Sequence, residues 1–78
     1  MKLTISEMAN YLDWWAYCNA AEKVRKAKTL SLKRVTNELY ELIIDGKNYW
    51  EPGHSLPLVI EKQSYNDFNA GLYAKEAI

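Results

Sequence analysis

The fold of this chain is decided by the stretch Leu42-Ile43-Ile44-Asp45-Gly46-Lys47-Asn48-Tyr49-Trp50. An Asp-Gly pair between two apolar runs is a strong signal for a two-residue turn, which predicts a short β-hairpin over residues 42–50. The same glycine also fits a helix that ends at Asp45, because glycine is favoured just after the last helical turn. The stretch therefore leaves two interpretations open.

The residues before this stretch favour the helical interpretation. Ser31 is a suitable N-cap, and the five apolar residues that follow it share one face at helical spacing. These residues are Leu32, Val35, Leu39, Leu42 and Ile43. We therefore predict a second helix from Ser31 to Asp45, with the hairpin at 42–50 as the alternative.

Further upstream, residues 5–28 contain neither glycine nor proline, which predicts one long first helix. Thr4-Ile5-Ser6-Glu7 has the form of a capping box, in which the Thr4 hydroxyl and the Glu7 carboxylate each accept from the other residue's amide. The stripe expected to face the core has the helical period. It consists of Ile5, Met8, Ala9, Leu12, Trp15, Ala16 and Ala20.

Downstream, Ser64-Tyr65-Asn66-Asp67 suggests a second capping box, followed by a short helix whose apolar face holds Tyr65, Phe68 and Leu72. Residues 51–57 are a loop by composition. We therefore expect a mainly α, three-helix domain spanning residues 1–78, with the first helix the longest.

The composition limits what this domain can do. With 78 residues, one hydrophobic core is the ceiling, and ten Lys and Arg balance ten Asp and Glu, so no global field attracts nucleic acid or membrane. Cys18 is the only cysteine, which excludes an internal disulfide and fits the cytoplasm. We expect neither a signal peptide nor a membrane span.

Residues for catalysis or metal binding are scarce. Cys18 and His54 are the only candidates for a thiol–imidazole pair, but one lies in a helix and the other in a Pro/Gly loop. Glu38 and Glu41 lie one turn apart on the polar face of the predicted second helix, where solvated charges normally lie. We therefore expect no enzyme activity, no cofactor, no metal and no small-molecule substrate.

The first helix offers a candidate protein-binding surface. Tyr11, Trp14 and Cys18 lie at helical spacing opposite the core stripe, so the helix is apolar on two faces. Trp and Tyr are enriched in interfaces, although both also build the cores of small proteins. We expect a small inhibitor, adaptor or regulator of the phage or mobile-element type. It would bind a larger protein assembly or a second copy of itself.

A basic cluster follows the aromatic residues and offers an alternative function. Six of the ten positive charges fall between residues 23 and 34. They are Lys23, Arg25, Lys26, Lys28, Lys33 and Arg34. Such a cluster is typical of phosphate contacts, although cations also favour a helix C-terminus without any partner. The alternative is therefore a DNA-binding regulator that uses Arg25, Lys26, Lys28, Lys33 and Arg34.

Two short motifs support this alternative. Leu3-Thr4-Ile5-Ser6-Glu7 and Asp45-Gly46-Lys47-Asn48-Tyr49 resemble the opening Leu-Thr-Leu-x-Glu pattern and the Asp-Gly-Arg-x-Tyr wing of small winged-helix excisionases of temperate phages. The resemblance covers about ten residues in two pieces. It implies that residues 42–50 form a wing and that Lys33 and Arg34 contact a DNA groove or phosphates.

Overall fold

A computed structural model describes residues 3–71 and shows an α+β fold. The three helices are α1 (Ile5–Trp14), α2 (Cys18–Lys26) and α3 (Lys62–Asn69). The four strands are β1 (Leu30–Arg34), β2 (Leu39–Ile44), β3 (Lys47–Asn48) and β4 (Val59–Glu61), and they form one antiparallel sheet. The prediction of a mainly α, three-helix domain is therefore wrong.

The prediction of one long first helix is also wrong. The chain forms two helices there, α1 and α2, and the break lies at Ala16, whose φ is +65°. The Tyr17 amide donates to the Leu12 carbonyl at 2.8 Å, and the Ala16 amide donates to the Asp13 carbonyl at 3.0 Å. This pair of bonds is a Schellman motif, which terminates a helix at a left-handed residue. Glycine usually fills that position, so an alanine there left no signal in the sequence.

The predicted second helix is instead the hairpin of β1 and β2. Leu32 lies opposite Leu42, and Lys33 opposite Glu41, so apolar and polar residues alternate across the pair. The connecting turn is capped by Thr36, whose hydroxyl accepts from the Glu38 amide at 3.1 Å and the Leu39 amide at 3.0 Å. Local side-chain bonds of this kind stabilise turns in competition with helix.

The hairpin alternative at residues 42–50 is what the structure shows. Asp45 and Gly46 have φ values of +52° and +82°, the left-handed pair that a type I′ turn requires. The turn connects β2 to β3, with Ile44 opposite Lys47. The chain then leaves the sheet and returns as β4, which pairs with residues 39–41 of β2. Because β1 occupies one side of β2, both β3 and β4 lie on the other.

One hydrophobic core joins the helices to one face of the sheet. The buried apolar residues are Met8, Ala9, Tyr11, Leu12, Ala20, Ala21, Val24, Leu42, Leu58, Ile60 and Tyr65. Leu30, Leu32 and Ile44 are half-buried against them. Leu39 and Ile43 alternate with core residues along β2 and lie outside this cluster.

Of the two predicted capping boxes, only the one before α1 is found, and in an altered form. The Thr4 hydroxyl accepts from the Glu7 amide at 3.1 Å, as predicted, but it also donates to the Glu7 carboxylate at 2.8 Å, where the box predicted the Thr4 amide as donor. The predicted cap at Ser64 is wrong, because α3 already begins at Lys62 and Ser64 is buried within it. Leu72 lies outside the described residues.

Candidate interaction surfaces

The three residues predicted to form a protein-binding face lie in different environments. Tyr11 is only 4% exposed, and its hydroxyl donates to the Ser64 hydroxyl at 2.9 Å. Trp14 is 37% exposed, and Cys18 is an exposed residue at the start of α2. The break at Ala16 places Cys18 on a second helix, so the expected continuous face of one helix does not exist.

Tyr11 and Trp14 belong to an aromatic cluster between α1 and α3. The ring centroid of Phe68 lies 5.6 Å from Tyr11 and 5.3 Å from Trp14. The Tyr65 ring meets Tyr11 edge-on at 5.3 Å. Such offset and edge-to-face contacts stabilise beyond the area they bury. The cluster therefore fixes α3 against α1, which is a structural role for Tyr11 and Phe68.

A second group of exposed apolar residues lies where the sequence did not predict one. It is formed by Trp15, Val35, Leu56 and Val59, which are between 45% and 74% exposed. These four residues line two adjoining grooves, of about 350 and 210 Å³, that share Tyr17 and Val59. We call this area the apolar surface.

Sequence reasoning missed the apolar surface for identifiable reasons. Trp15 was expected in the core, but it is the C-cap residue of α1 and is 47% exposed. Val35 was assigned to the buried face of a helix that does not exist. Leu56 lies in a loop, and only the pairing of β4 with β2 brings Val59 to the same area. The only indication in the sequence was the presence of apolar residues in and after the Pro/Gly loop, namely Leu56 within it and Val59 shortly after it.

The basic cluster is partly neutralised by neighbouring acids. Arg25 donates to the Asp13 carboxylate at 2.5 Å and to the Asn10 amide oxygen at 3.3 Å. Lys26 pairs with Glu22 at 2.8 Å. Hydrogen bonding and charge attraction within that pair lower the pKa of Glu22 and raise the pKa of Lys26. Arg25 and Lys26 are therefore weak candidates for phosphate contacts.

The other cations of the cluster lie along and before β1. Lys33 and Arg34 are exposed residues of the strand, and Lys28 lies two residues before it. Arg34 donates to the Asn37 side chain, which carries no charge. Within residues 3–71, no acid forms an ion pair with Lys23, Lys28, Lys33 or Arg34.

A polar groove of about 860 Å³ separates α2 from the β2–β3 hairpin. Lys23 and Lys26 line it from the helix, Lys47 lines it from the hairpin, and Trp50 is 51% exposed at its wall. Tyr49 also lines the groove, and burial, followed by the Glu51 carboxylate, raises the pKa of its phenol. Two aromatic rings therefore line this groove together with lysines and with the acids Glu22 and Asp45, which was not apparent from the sequence.

Within residues 3–71, the candidate metal ligands form no cluster and the candidate thiol–imidazole pair forms no hydrogen bond. No group of three His, Cys, Asp or Glu side chains could hold a metal ion in this part of the chain. Cys18 and His54 share no hydrogen bond among the described residues, and His54 is exposed in the loop before β4. No helix in the described range has the length and apolar character to cross a membrane.

Comparisons with known proteins identify no relative. No family model, no curated protein and no solved structure matches this chain. A hairpin with its turn at Asp45 and Gly46 lies where the excisionase resemblance implied a wing. Lys33 and Arg34, which the resemblance assigned to DNA contact, lie on strand β1.

Proposed function

We propose that this chain is a non-enzymatic protein-interaction module, an inhibitor, adaptor or regulator that binds a larger cytoplasmic protein through the apolar surface. One observation carries the proposal. Six large apolar side chains in residues 3–71 are exposed, and four of them, Trp15, Val35, Leu56 and Val59, line the two adjoining grooves. Single exposed apolar residues are ordinary, whereas a contiguous group with an aromatic member is typical of an interface.

The size of the chain strengthens this argument. A core this small stabilises only weakly, so four large apolar side chains that stay in water leave unused a stabilisation that a partner covering them would supply. Removing them from water contributes about 25 cal/mol per Å² of apolar area. Trp15 supplies a large rigid ring at the edge of the smaller groove, which suits it to be the main energetic contact.

The surface is matched to a partner with an apolar ridge flanked by polar groups. The larger groove is lined by Glu41, Glu51 and His54 beside its apolar residues. Polar groups around an apolar centre are the usual arrangement of protein interfaces. Charge steering across the whole chain plays little part, because the net charge is zero.

The test uses photo-crosslinking in the native host. We would place benzoylphenylalanine at position 56 in one preparation and at position 50 in another, and identify the attached proteins by mass spectrometry. The proposal expects one dominant adduct from position 56 that position 50 does not give. Equal labelling from both positions would reject the apolar surface as the binding site.

Affinity measurements with the identified protein then test individual side chains. Leu56→Asn and Val59→Thr remove apolar contact from exposed positions, so we expect each to weaken binding about tenfold at unchanged melting temperature. Trp50→Gln is the matched control, because Trp50 is 51% exposed, close to the 45% of Val59, but lines the polar groove. Sedimentation equilibrium of the chain alone decides whether the identified partner is a second copy.

Nucleic-acid binding is the second candidate, and the polar groove favours it. Trp50 offers a stacking surface, and Lys23 and Lys47, whose side chains have no ion-pair partner in residues 3–71, offer phosphate contacts. Anisotropy of a labelled twelve-nucleotide oligothymidine, measured at increasing salt, tests this function. Lys23→Gln and Lys47→Gln should each weaken binding and flatten the salt dependence, whereas Lys62→Gln on α3 should not. An oligonucleotide that fails to bind at low salt excludes the second candidate.

A further inference from the structure

Among residues 3–71, strand β1 pairs only with β2 and therefore forms an edge of the sheet. Asp45 donates its amide to the Thr29 carbonyl, and Val35 donates its amide to the Leu39 carbonyl, so both pairs are of the hydrogen-bonded type. In an antiparallel ladder such pairs recur at every second residue. The main-chain groups of Ser31 and Lys33 therefore point towards β2. Those of Leu30, Leu32 and Arg34 point away from the sheet, and no other residue between 3 and 71 bonds to them.

This edge carries three cations, although Asp45 lies near Lys28 and Glu41 lies opposite Lys33. Lys28, Lys33 and Arg34 flank the outward main-chain groups, and no ion pair within the described range involves them. Lys33 and Arg34 are neighbours in a strand, so their side chains project to opposite faces. A strand added at this edge would therefore meet a cation on each face.

The positive charge of this edge favours an acidic strand over a second copy of β1 as its partner. Lysine on an edge strand opposes pairing with an identical strand, because like charges opposite each other destabilise a sheet. A second copy of β1 would bring three more cations to the same place. An acidic strand would instead gain cross-strand ion pairs with Lys33 and Arg34.

We propose that β1 binds an extended acidic segment of the partner protein, which adds to the sheet as a new strand. Main-chain groups of the segment pair with Leu30, Leu32 and Arg34, and its carboxylates lie beside Lys33 and Arg34. This is the β-strand addition by which many domains bind peptides. A nucleic acid could use the cations, but it has no ladder of alternating amides and carbonyls to pair with the strand edge.

This inference rests on the proposed function and specifies the chemistry of the partner. Val35 directly follows Arg34 and belongs to the apolar surface. A segment that continues along β1 beyond Arg34 therefore reaches the near end of that surface. The two contacts form one continuous binding area, in which the edge supplies direction and the apolar surface supplies most of the buried area.

Amide hydrogen exchange tests the pairing directly. The probe is a nine-residue peptide of three Val-Glu-Glu repeats, whose adjacent Glu side chains project to opposite faces of an added strand, and it is added to the full isotope-labelled chain at up to millimolar concentration. We expect the amides of Leu30, Leu32 and Arg34 to exchange at least about tenfold more slowly with the peptide, while Ser31 and Lys33 are already protected and do not change. The control peptide has Lys in place of every Glu and should protect none of these amides.

Two substitutions at one position separate charge from main-chain pairing. Arg34→Gln removes the charge and keeps the outward amide, so the Glu/Val peptide should bind about twofold to fivefold more weakly. Arg34→Pro also removes the amide, which an edge strand tolerates, and should weaken binding by at least a further factor of about five. If Arg34→Pro lowers the melting temperature, a peptide N-methylated at alternate residues replaces it, because this peptide keeps its charges and loses main-chain donors, and it should bind at least about fivefold more weakly.

Other outcomes of these experiments would overturn the strand addition, and one of them would leave the proposed function intact. Unchanged exchange at Leu30, Leu32 and Arg34, or equal protection by the Lys/Val peptide, overturns the strand addition. If oligothymidine binds more tightly than the Glu/Val peptide, and neither slows the exchange of these three amides, the cations are assigned to a nucleic acid instead. If exchange is unchanged while Leu56→Asn still weakens binding to the crosslinked protein, only this inference fails and the proposed function stands.

Discussion

Asp45 and Thr29 hold two parts of the chain together by hydrogen bonds in both directions. The Asp45 carboxylate accepts from the Thr29 amide at 2.9 Å, and the Asp45 amide donates to the Thr29 carbonyl at 3.1 Å. The same carboxylate oxygen accepts from the Lys28 amide at 2.8 Å. One side chain therefore joins the turn of the β2–β3 hairpin to the connection between α2 and β1.

We expect Asp45→Ala to lower the denaturation midpoint and Asp45→Asn to lower it less. The alanine leaves two amides without their acceptor, whereas the amide oxygen of asparagine still accepts, although more weakly than a carboxylate. Urea unfolding followed by circular dichroism measures both variants. Equal midpoints for the two would show that the acceptor does not stabilise the connection.

The same carboxylate should make stability sensitive to acid. Hydrogen bonds from the Thr29 and Lys28 amides lower the pKa of Asp45 below its usual 3.8. A lowered pKa in the folded state means that the stabilisation is complete above pH 3.8 and is lost as the pH falls through the folded-state pKa. Midpoints measured from pH 6 to pH 2 should fall less steeply for Asp45→Asn than for the native chain.

Ala16→Gly should stabilise the chain by about 1 kcal/mol. Ala16 has a φ of +65°, a conformation that costs an L-residue about 1–2 kcal/mol and glycine very little. Ala21→Gly is the control, since it lies inside α2 and should instead destabilise by at least about 1 kcal/mol. Thermal melts of both variants check the opposite signs. A lower melting temperature for Ala16→Gly would contradict a left-handed residue at this position.

The buried hydrogen bond between Tyr11 and Ser64 can be tested by a double-mutant cycle. Tyr11→Phe leaves the buried Ser64 hydroxyl without its donor, and we expect a cost of about 1–3 kcal/mol. Ser64→Ala in that background should cost little more, because both partners are then apolar. Additive effects of the two substitutions, measured by urea unfolding, would show that the hydroxyls do not interact.

Core and surface leucines should respond differently to truncation. Leu42 is fully buried in the central strand, so Leu42→Ala should destabilise by about 2–5 kcal/mol. Leu56 is 74% exposed, so Leu56→Ala should change stability by less than about 0.5 kcal/mol. Equilibrium unfolding gives both values. A large cost at Leu56 would show that this residue supports the fold and is not held for a partner.

Features with a local physical cause were predictable from the sequence. The Thr4 hydroxyl caps α1 because a threonine before an apolar run accepts the first free amides of a helix. Asp45 and Gly46 form a hairpin turn because both tolerate positive φ. In each case the residues that decide the structure are neighbours in the chain.

Tertiary structure decided the features whose causes lie far apart in the chain. The pairing of Leu32 with Leu42 converts a helical pattern into two strands, because leucine spacing alone does not separate a helix face from alternate strand positions. Ala16 adopts a left-handed conformation that no local propensity favours. On either side of it, Leu12 lies in the core and Tyr17 packs against the core.

The binding surfaces depend on tertiary structure even more strongly. Sequence reasoning found the cations of the basic cluster, because they lie within twelve residues of the chain, but not which of them form ion pairs. It missed the apolar surface, which is assembled from the end of α1, the β1–β2 turn, a loop and β4. The sequence by itself determined the Thr4 cap, the tolerance of Asp45 and Gly46 for a tight turn, and the inventory of side chains. Only the folded chain decided which side chains water reaches, because exposure depends on every segment at once.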